Sequence, residues 1–474
     1  MTHNQRVSET PDVASDQGSP HVANRGLKIT ALAAGFVMAS LDTTVVNVAG
    51  ARIQSDLDTS ITELTWIVDS YVLAFAALLL LAGGLANRFG SLRIYMIGMA
   101  VFVAASLACA VAPTSEVLIG ARFVQGVGAA LFMPSSLALL VRSFPDPMER
   151  TRMLGLWSAI VATASGVGPT VGGIMVSAFG WPSIFLINLP IGVIGALLTY
   201  RVIAPIAPTR SPVPVAGHAL AVLLLAATCY GIIEGPNEGW LSAKVLGAFI
   251  LAIVAIVLLY LRERSATSTV MPWSLFRRPA FAGGNLIGFL FNFSLFGGIF
   301  ILGLFLQNAR GATPFEAGLQ LLPMTMFFPI SNIVYSKISG RFSNGPLLTG
   351  FLVVAAAATV GLTAISPGTP YWVLAVAVGL ANIGAGIISP AMTAVLVDSA
   401  GIEHAAVSGS VLNANRQIGS LFGIAAMGVA ISVGEDWYDR ASIAFFMITI
   451  AYALAAVCAW RLVWRSAAAK TAKA

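Results

Sequence analysis

Charge is what this sequence has least of. Only 10% of its 474 residues are Asp, Glu, Lys or Arg, 57% are hydrophobic, and the mean hydropathy is +0.86. A soluble domain carries about 25% charged residues to cover its surface, so a water-soluble globular fold is excluded. Histidine is almost as scarce. His3, His21, His218 and His404 all fall outside the centres of apolar runs, and neither an H-E-x-x-H nor a G-x-x-x-x-G-K-[ST] string occurs. Zinc hydrolysis and ATP-driven transport are disfavoured, and no metal or cofactor is expected. Three cysteines, Cys109, Cys229 and Cys458, lie in apolar runs without metal-type spacing and read as small core residues.

What the chain does have is apolar runs of near twenty residues, the length that crosses a hydrocarbon core of ~30 Å as a helix. Run lengths of this kind, rather than alternating tens, point to an all-α polytopic membrane protein and not a barrel. Fourteen runs are expected, starting near Leu27, Glu63, Ser91, Glu116, Met153, Pro182, Val213, Ala243, Ala280, Glu316, Gly345, Pro370, Ser408 and Ala441. Residues 1–26 are polar and lack a signal-peptide core, so they read as an uncleaved, disordered cytoplasmic arm.

An even number of spans puts both termini on one side. With the N-terminus cytoplasmic, twenty of the 26 Lys and Arg fall in inner tails and loops, while Arg52, Lys244, Arg310 and Arg440 fall outside and Arg122 and Arg416 within spans. That asymmetry is the positive-inside signature of an inner (plasma) membrane protein. It also accounts for the net charge of +6 without nucleic acid. The strings GGLANRFGSLR, after the second run, and SKISGRFSNGP, after the tenth, match loosely. They suggest two six-helix halves, 27–203 and 266–465, around a two-helix insert at 204–265, with a tail at 466–474; parallel halves of this kind are a transporter architecture.

The polar residues inside the runs carry the functional argument. Asp42, in LDTTVVNVA with Asn47, lies roughly 22 Å from the inner end of its run at ~1.5 Å per residue. Asp69 in WIVDSYVLA and Arg122 in ARFVQGVGAA each lie ~9 Å from the outer face, so all three reach similar depth. A carboxylate there costs at least ~2.5–3.5 kcal/mol on insertion scales unless it is paired, hydrated or useful. Desolvation favours a neutral carboxyl and a nearby guanidinium the charged one, so such a cluster can bind and release a proton. A permanent structural ion pair is the competing reading, and Asp69 and Arg122 could instead snorkel outward.

Arg416 in LNANRQIGSLFG is the one charge inside the second half, with Asn413, Asn415 and Gln417 beside it. It reads either as substrate path or as helix-to-helix hydrogen bonding. Asn292 and Gln307 are weaker substrate-path candidates. ASGVGPTVGG, residues 164–173, packs glycines around Pro169 and predicts a tight, kinked helix contact. Arg88 and Arg93 beside Gly90 could be no more than inner-loop charges.

Together these strings resemble the major facilitator superfamily, specifically its fourteen-span drug:proton antiporter family. LDTTVVNVA, WIVDSYVLA, LIGARFVQGVGAA, SGVGPTVGG, IFLINLPIG, IEGPNEGW, LFLQNARGATPFEAGLQLLP and NRQIGSLFG carry the resemblance over nearly all of the chain after the N-terminal arm. It implies a rocker-type exporter driven by the proton gradient, with Asp42, Asp69 and Arg122 in proton coupling. It further implies a gating loop of Gly83, Asn87, Arg88, Gly90 and Arg93, and an antiporter motif of Gly168, Pro169, Gly172 and Gly173. The sequence departs from the family pattern at Asn87, where an Asp is expected, at Ser91-Leu92, at Gly50-Ala51, at Pro182 and at Ala164. The weakened loop charge would alter switching without removing a proton carrier.

The expected function is therefore proton-coupled export of small lipophilic, mainly cationic, drugs by a monomer in contact with lipid. A dedicated exporter of one metabolite or antibiotic shares every feature. A proton-coupled importer and a non-transporting membrane sensor fit less well, and no enzymatic activity is expected.

Overall fold

In the computed structural model, residues 20–205, 214–265, 269–270, 273–339, 341–401 and 405–466 are described, and among them every regular element is helical. The first group comprises α1 (Pro20–Leu57), α2 (Ile61–Phe89), α3 (Ser91–Ala110), α4 (Ser115–Ser143), α5 (Pro147–Phe179), α6 (Ser183–Leu186) and α7 (Asn188–Val202). A pair follows, α8 (Val215–Glu238) and α9 (Ala243–Ser265), then the short α10 (Trp273–Phe276). The second group comprises α11 (Pro279–Asn308), α12 (Pro314–Gln320), α13 (Leu322–Ile338), α14 (Asn344–Val360), α15 (Tyr371–Ala400), α16 (Ala405–Val433) and α17 (Trp437–Cys458).

Helix starts follow local chemistry. Ser60 and Glu63 form a capping box on α2, Thr313 and Glu316 another on α12, and Thr114, Asp146 and Asp436 cap α4, α5 and α17. Each side chain satisfies a backbone N–H that the first turn leaves without a partner. Gly90 joins α2 to α3 at φ 96°, a conformation that residues with a Cβ resist.

Thirteen helices or helix pairs among the described residues are long and apolar enough to cross a membrane. The expected fifth span, α5, is a 33-residue helix outside that set, and several of its side chains between 151 and 162 lie outside the described residues. One expectation is corrected at the N-terminus. The helix starts at Pro20, inside the stretch 1–26 expected to be a disordered arm, while residues 1–19 lie outside the described residues. Polar composition reports solvation, not helicity, and a proline at the first position is already set for the helical φ.

Packing divides along the chain. α2 and α3 pack on α4, and α1 on α5 and α7; α11 packs on α16 and α17, and α15 on α13 and α14. The groups meet through α2 with α16, α5 with α12 and α13, and α1 with α11, while α8 touches both α2 and α16. α9 is the least buried of the thirteen spans, with Ile250, Ile253, Val257 and Leu261 exposed.

Candidate functional site

Asp42 and Arg122, two buried charges of the first group, meet where α1, α2, α3, α4 and α7 converge. Arg122 of α4 forms an ion pair through Nη1 with Asp42 Oδ2 of α1, and donates from Nη1 to Gln125 Oε1 at 2.6 Å and from Nε to the Ile67 carbonyl at 3.1 Å. Gln125, one turn along α4, donates from Nε2 to Asp42 Oδ1 at 2.8 Å and to Ser106 Oγ of α3 at 2.9 Å. Asn188 of α7 donates to the same two oxygens at 3.4 and 3.3 Å. The Tyr71 ring lies 4.4 Å from the guanidinium carbon and Phe185 5.6 Å. Asp42 is 2% exposed, and Arg122, Gln125 and Ser106 are fully buried.

Asp69 is not part of this cluster. Ile67 and Tyr71 turn toward Arg122, and Asp69, two residues from each, points about 200° around α2. It is fully buried, and both carboxyl oxygens lack a hydrogen-bond partner among the described residues. Thr65, one turn earlier on the same face, packs on Gly428 of α16. A cavity of about 30 Å³ lies beside it, lined by Thr62, Thr65, Ile233, Gly428 and Ser432 among others. Equal depth was therefore an incomplete criterion, because it fixes position along a helix and not direction around it. Burial of both Asp69 and Arg122 also removes outward snorkelling.

The four residues of the antiporter motif divide between two faces of α5. Gly168 and Gly172 abut Thr44 and Val45 of α1, directly after Asp42; Gly173 abuts Pro314, and the Pro169 carbonyl abuts Gly318. Thr170 Oγ1 donates to the Gly318 carbonyl at 3.3 Å, and Ser177 Oγ accepts from Phe315 N at 3.1 Å. Gln307 Nε2 of α11 donates to the Val48 carbonyl at 3.0 Å, and the Asn47 carbonyl abuts Gly303. Asn47 and Gln307 thus belong to the seam between the two groups, at the end away from the chain termini.

The remaining candidates lie apart from Asp42. Asn87, Arg88 and Arg93 are exposed at the α2–α3 junction with Gly83 and Gly90 nearby, and Arg88 stacks on Phe89. Asn292 donates to the Gly288 carbonyl of its own helix at 2.8 Å. Asn413, Arg416 and Gln417 are half-buried on α16. Gln125, Asn188, Ser106 and Tyr71 were not singled out by sequence. Gln125 had a readable signal, because the i, i+3 spacing from Arg122 puts both on one face; the others depend on tertiary packing.

A bundle of apolar helices enclosing a sealed acid–guanidinium network is a polytopic membrane protein of transporter type. The chain belongs to the Major Facilitator Superfamily, whose family profile matches residues 32–424. It is 65% identical over 440 residues to the methylenomycin A resistance protein of Streptomyces coelicolor, with 93% of each chain covered. It is 48% identical over 432 residues to the protein of the same name in Bacillus subtilis, covering 90% of this chain and 92% of that one. Among solved structures, a peptide transporter crystallised with sulfate superimposes with a TM-score of 0.67 at 15% identity, covering 91% and 93% of the two chains. That likeness speaks for the fold alone. With relatives named for antibiotic and drug resistance, the chain is an efflux transporter of the superfamily, multi-pass in the membrane.

Proposed function

We propose that this protein is a proton-coupled antiporter that exports methylenomycin A, or a compound close to it, from the cytoplasm across the inner membrane. The observation that carries the coupling is the sealed Asp42–Arg122–Gln125 network, a carboxylate whose protonation competes with its own ion pair. The substrate follows from the two relatives of the same name at 65% and 48% identity. In this reading the chain crosses the membrane fourteen times with both termini cytoplasmic, as a monomer of two six-helix halves surrounded by lipid. The seam at Gly173, Gly318, Gln307 and Gly303 then lies at the outer end of the bundle. Protonation of Asp42 loosens Arg122, the halves rock about the α5 contacts, and substrate leaves outward as the proton moves in.

The test is uptake of methylenomycin A into everted membrane vesicles energised to an acidic interior. Uptake that stops when a protonophore collapses the gradient supports the proposal. Uptake that persists without the gradient overturns the coupling, and no uptake at all overturns the substrate.

A further inference from the structure

We propose that Asn413, Arg416 and Gln417 of α16 form a recognition site for an anionic substrate group, a carboxylate or similar oxyanion, on the transport path. The inference rests on the exporter reading. It begins with what surrounds α16. Asn415 donates to the Asn285 carbonyl of α11, and Gly419 and Gly423 abut the Phe289 and Phe293 carbonyls of that same helix. Leu421, Phe422 and Ala425 lie beside Cys229 and Ile232 of α8, and Gly428 meets Thr65 of α2. At about 100° per residue these contacts take the α11, α8 and α2 sides and leave a sector between α11 and α2, with the Arg416 stem against Gly288 of α11 at its edge; α15 and α17 touch α16 as well. Asn413, Arg416 and Gln417 fall in that sector, with Ser420 one turn on.

All three are half-buried, although Ala414, Gly419 and Ser420 around them are buried. Arg416 lies eleven residues into a 29-residue helix, well away from both of its ends. Among the described residues no carboxylate pairs with it, no charged side chain lies near it, and its guanidinium makes no hydrogen bond. Arg122 is the contrast, with an acid, an amide and a carbonyl around it. A guanidinium at membrane depth is costly unless it is hydrated or finds a counter-charge. Bonding to a neighbouring helix does not account for it, because Asn415 next door already performs that task.

The sign of the charge decides the substrate class. Of the carboxylates within the spans, Asp42 is engaged by Arg122 and Gln125, Glu234 of α8 accepts from Trp66 Nε1 at 2.7 Å, and Asp69 is fully buried on the side of α2 away from Arg122, so none of these is offered to a cation between the groups. Arg416 is offered. Its planar fork matches a carboxylate through two parallel hydrogen bonds, and the flanking amide groups add donors for a third.

The test uses full-length protein in detergent and follows its thermal unfolding with three aromatic probes that differ in charge. Salicylate carries the carboxylate, salicylamide replaces it with a neutral amide, and tetraphenylphosphonium carries the opposite charge. Salicylate is expected to stabilise the wild type with an apparent affinity at least about tenfold above that of salicylamide, the scale of one charge-assisted contact. Arg416→Gln is expected to lose that preference and Arg416→Lys to keep part of it. Equal responses to salicylate and salicylamide, a stronger response to tetraphenylphosphonium, no salicylate response in the wild type, or an unchanged preference in Arg416→Gln each overturn the site. Should Arg416→Gln fail to fold, the wild-type ratio and Arg416→Lys decide. Binding here needs no gradient, so vesicles that fail to take up methylenomycin A while salicylate binding still depends on Arg416 refute methylenomycin A as the substrate and leave the site standing.

Discussion

Asp42 and Arg122, 80 residues apart in the sequence, close an ion pair in which each side chain is only 1% exposed. Removing one member of such a pair strands a buried charge at a cost of about 3–5 kcal/mol, whereas neutralising both is close to neutral for stability. Arg122→Gln is therefore expected to lower the thermal unfolding temperature more than the double variant Asp42→Asn with Arg122→Gln. Both are expected to abolish gradient-driven export, as is Asp42→Asn alone, while the proteins still insert in the membrane. Undiminished proton-driven export by Asp42→Asn would falsify the coupling role.

How much of this was legible in advance depended on the kind of information each feature needs. Helix positions were, because apolar run length alone sets them: the starts expected at Ser91 and Ala243 are the observed ones, and Pro279 lies one residue from the expected Ala280. The Asp42–Arg122 pairing followed from depth, which counts residues along a helix. The separation of Asp69 did not, because it depends on how α2 is rotated against α4 and α8, and that is settled by packing over the whole bundle. Asn188 and Ser106 were invisible for the same reason, each being one polar residue in an apolar run until α3 and α7 bring it to Asp42. The two-sided register of α5 was half visible. The glycine spacing announced close contact, but which glycine meets α1 and which meets α12 required the fold.

Asp69 provides a second measurement. No hydrogen bond or ion pair links it to the Arg122 network among the described residues. The effects of Asp69→Asn and Arg122→Gln on unfolding are thus expected to add within about 0.5 kcal/mol, as independent sites do. A coupling energy well above that, from a double-mutant cycle in the full-length protein, would place Asp69 back in the Asp42 cluster. Its functional contribution is read separately, from whether Asp69→Asn changes export at unchanged abundance.

The register of α5 separates two kinds of close contact. A methyl group added at Gly168 meets the Thr44 side chain, whereas one added at Gly173 lies 2.5 Å from the Pro314 carbonyl oxygen, which is backbone and cannot turn aside. Overpacking of this kind costs about 1–3 kcal/mol. Gly168→Ala is expected to impair export and to be partly rescued by Thr44→Ala, which removes the obstructing hydroxyl and methyl. Gly173→Ala has no comparable side-chain rescue, and because its contact joins α5 to α12 the damage should appear at the seam between the groups. Its signature is a faster substrate-independent proton leak, followed with a pH-sensitive dye in vesicles at equal protein abundance. A leak from Gly168→Ala that Thr44→Ala leaves untouched, or a tight Gly173→Ala, would mean that α5 closes the bundle by some contact other than these two rows of glycines.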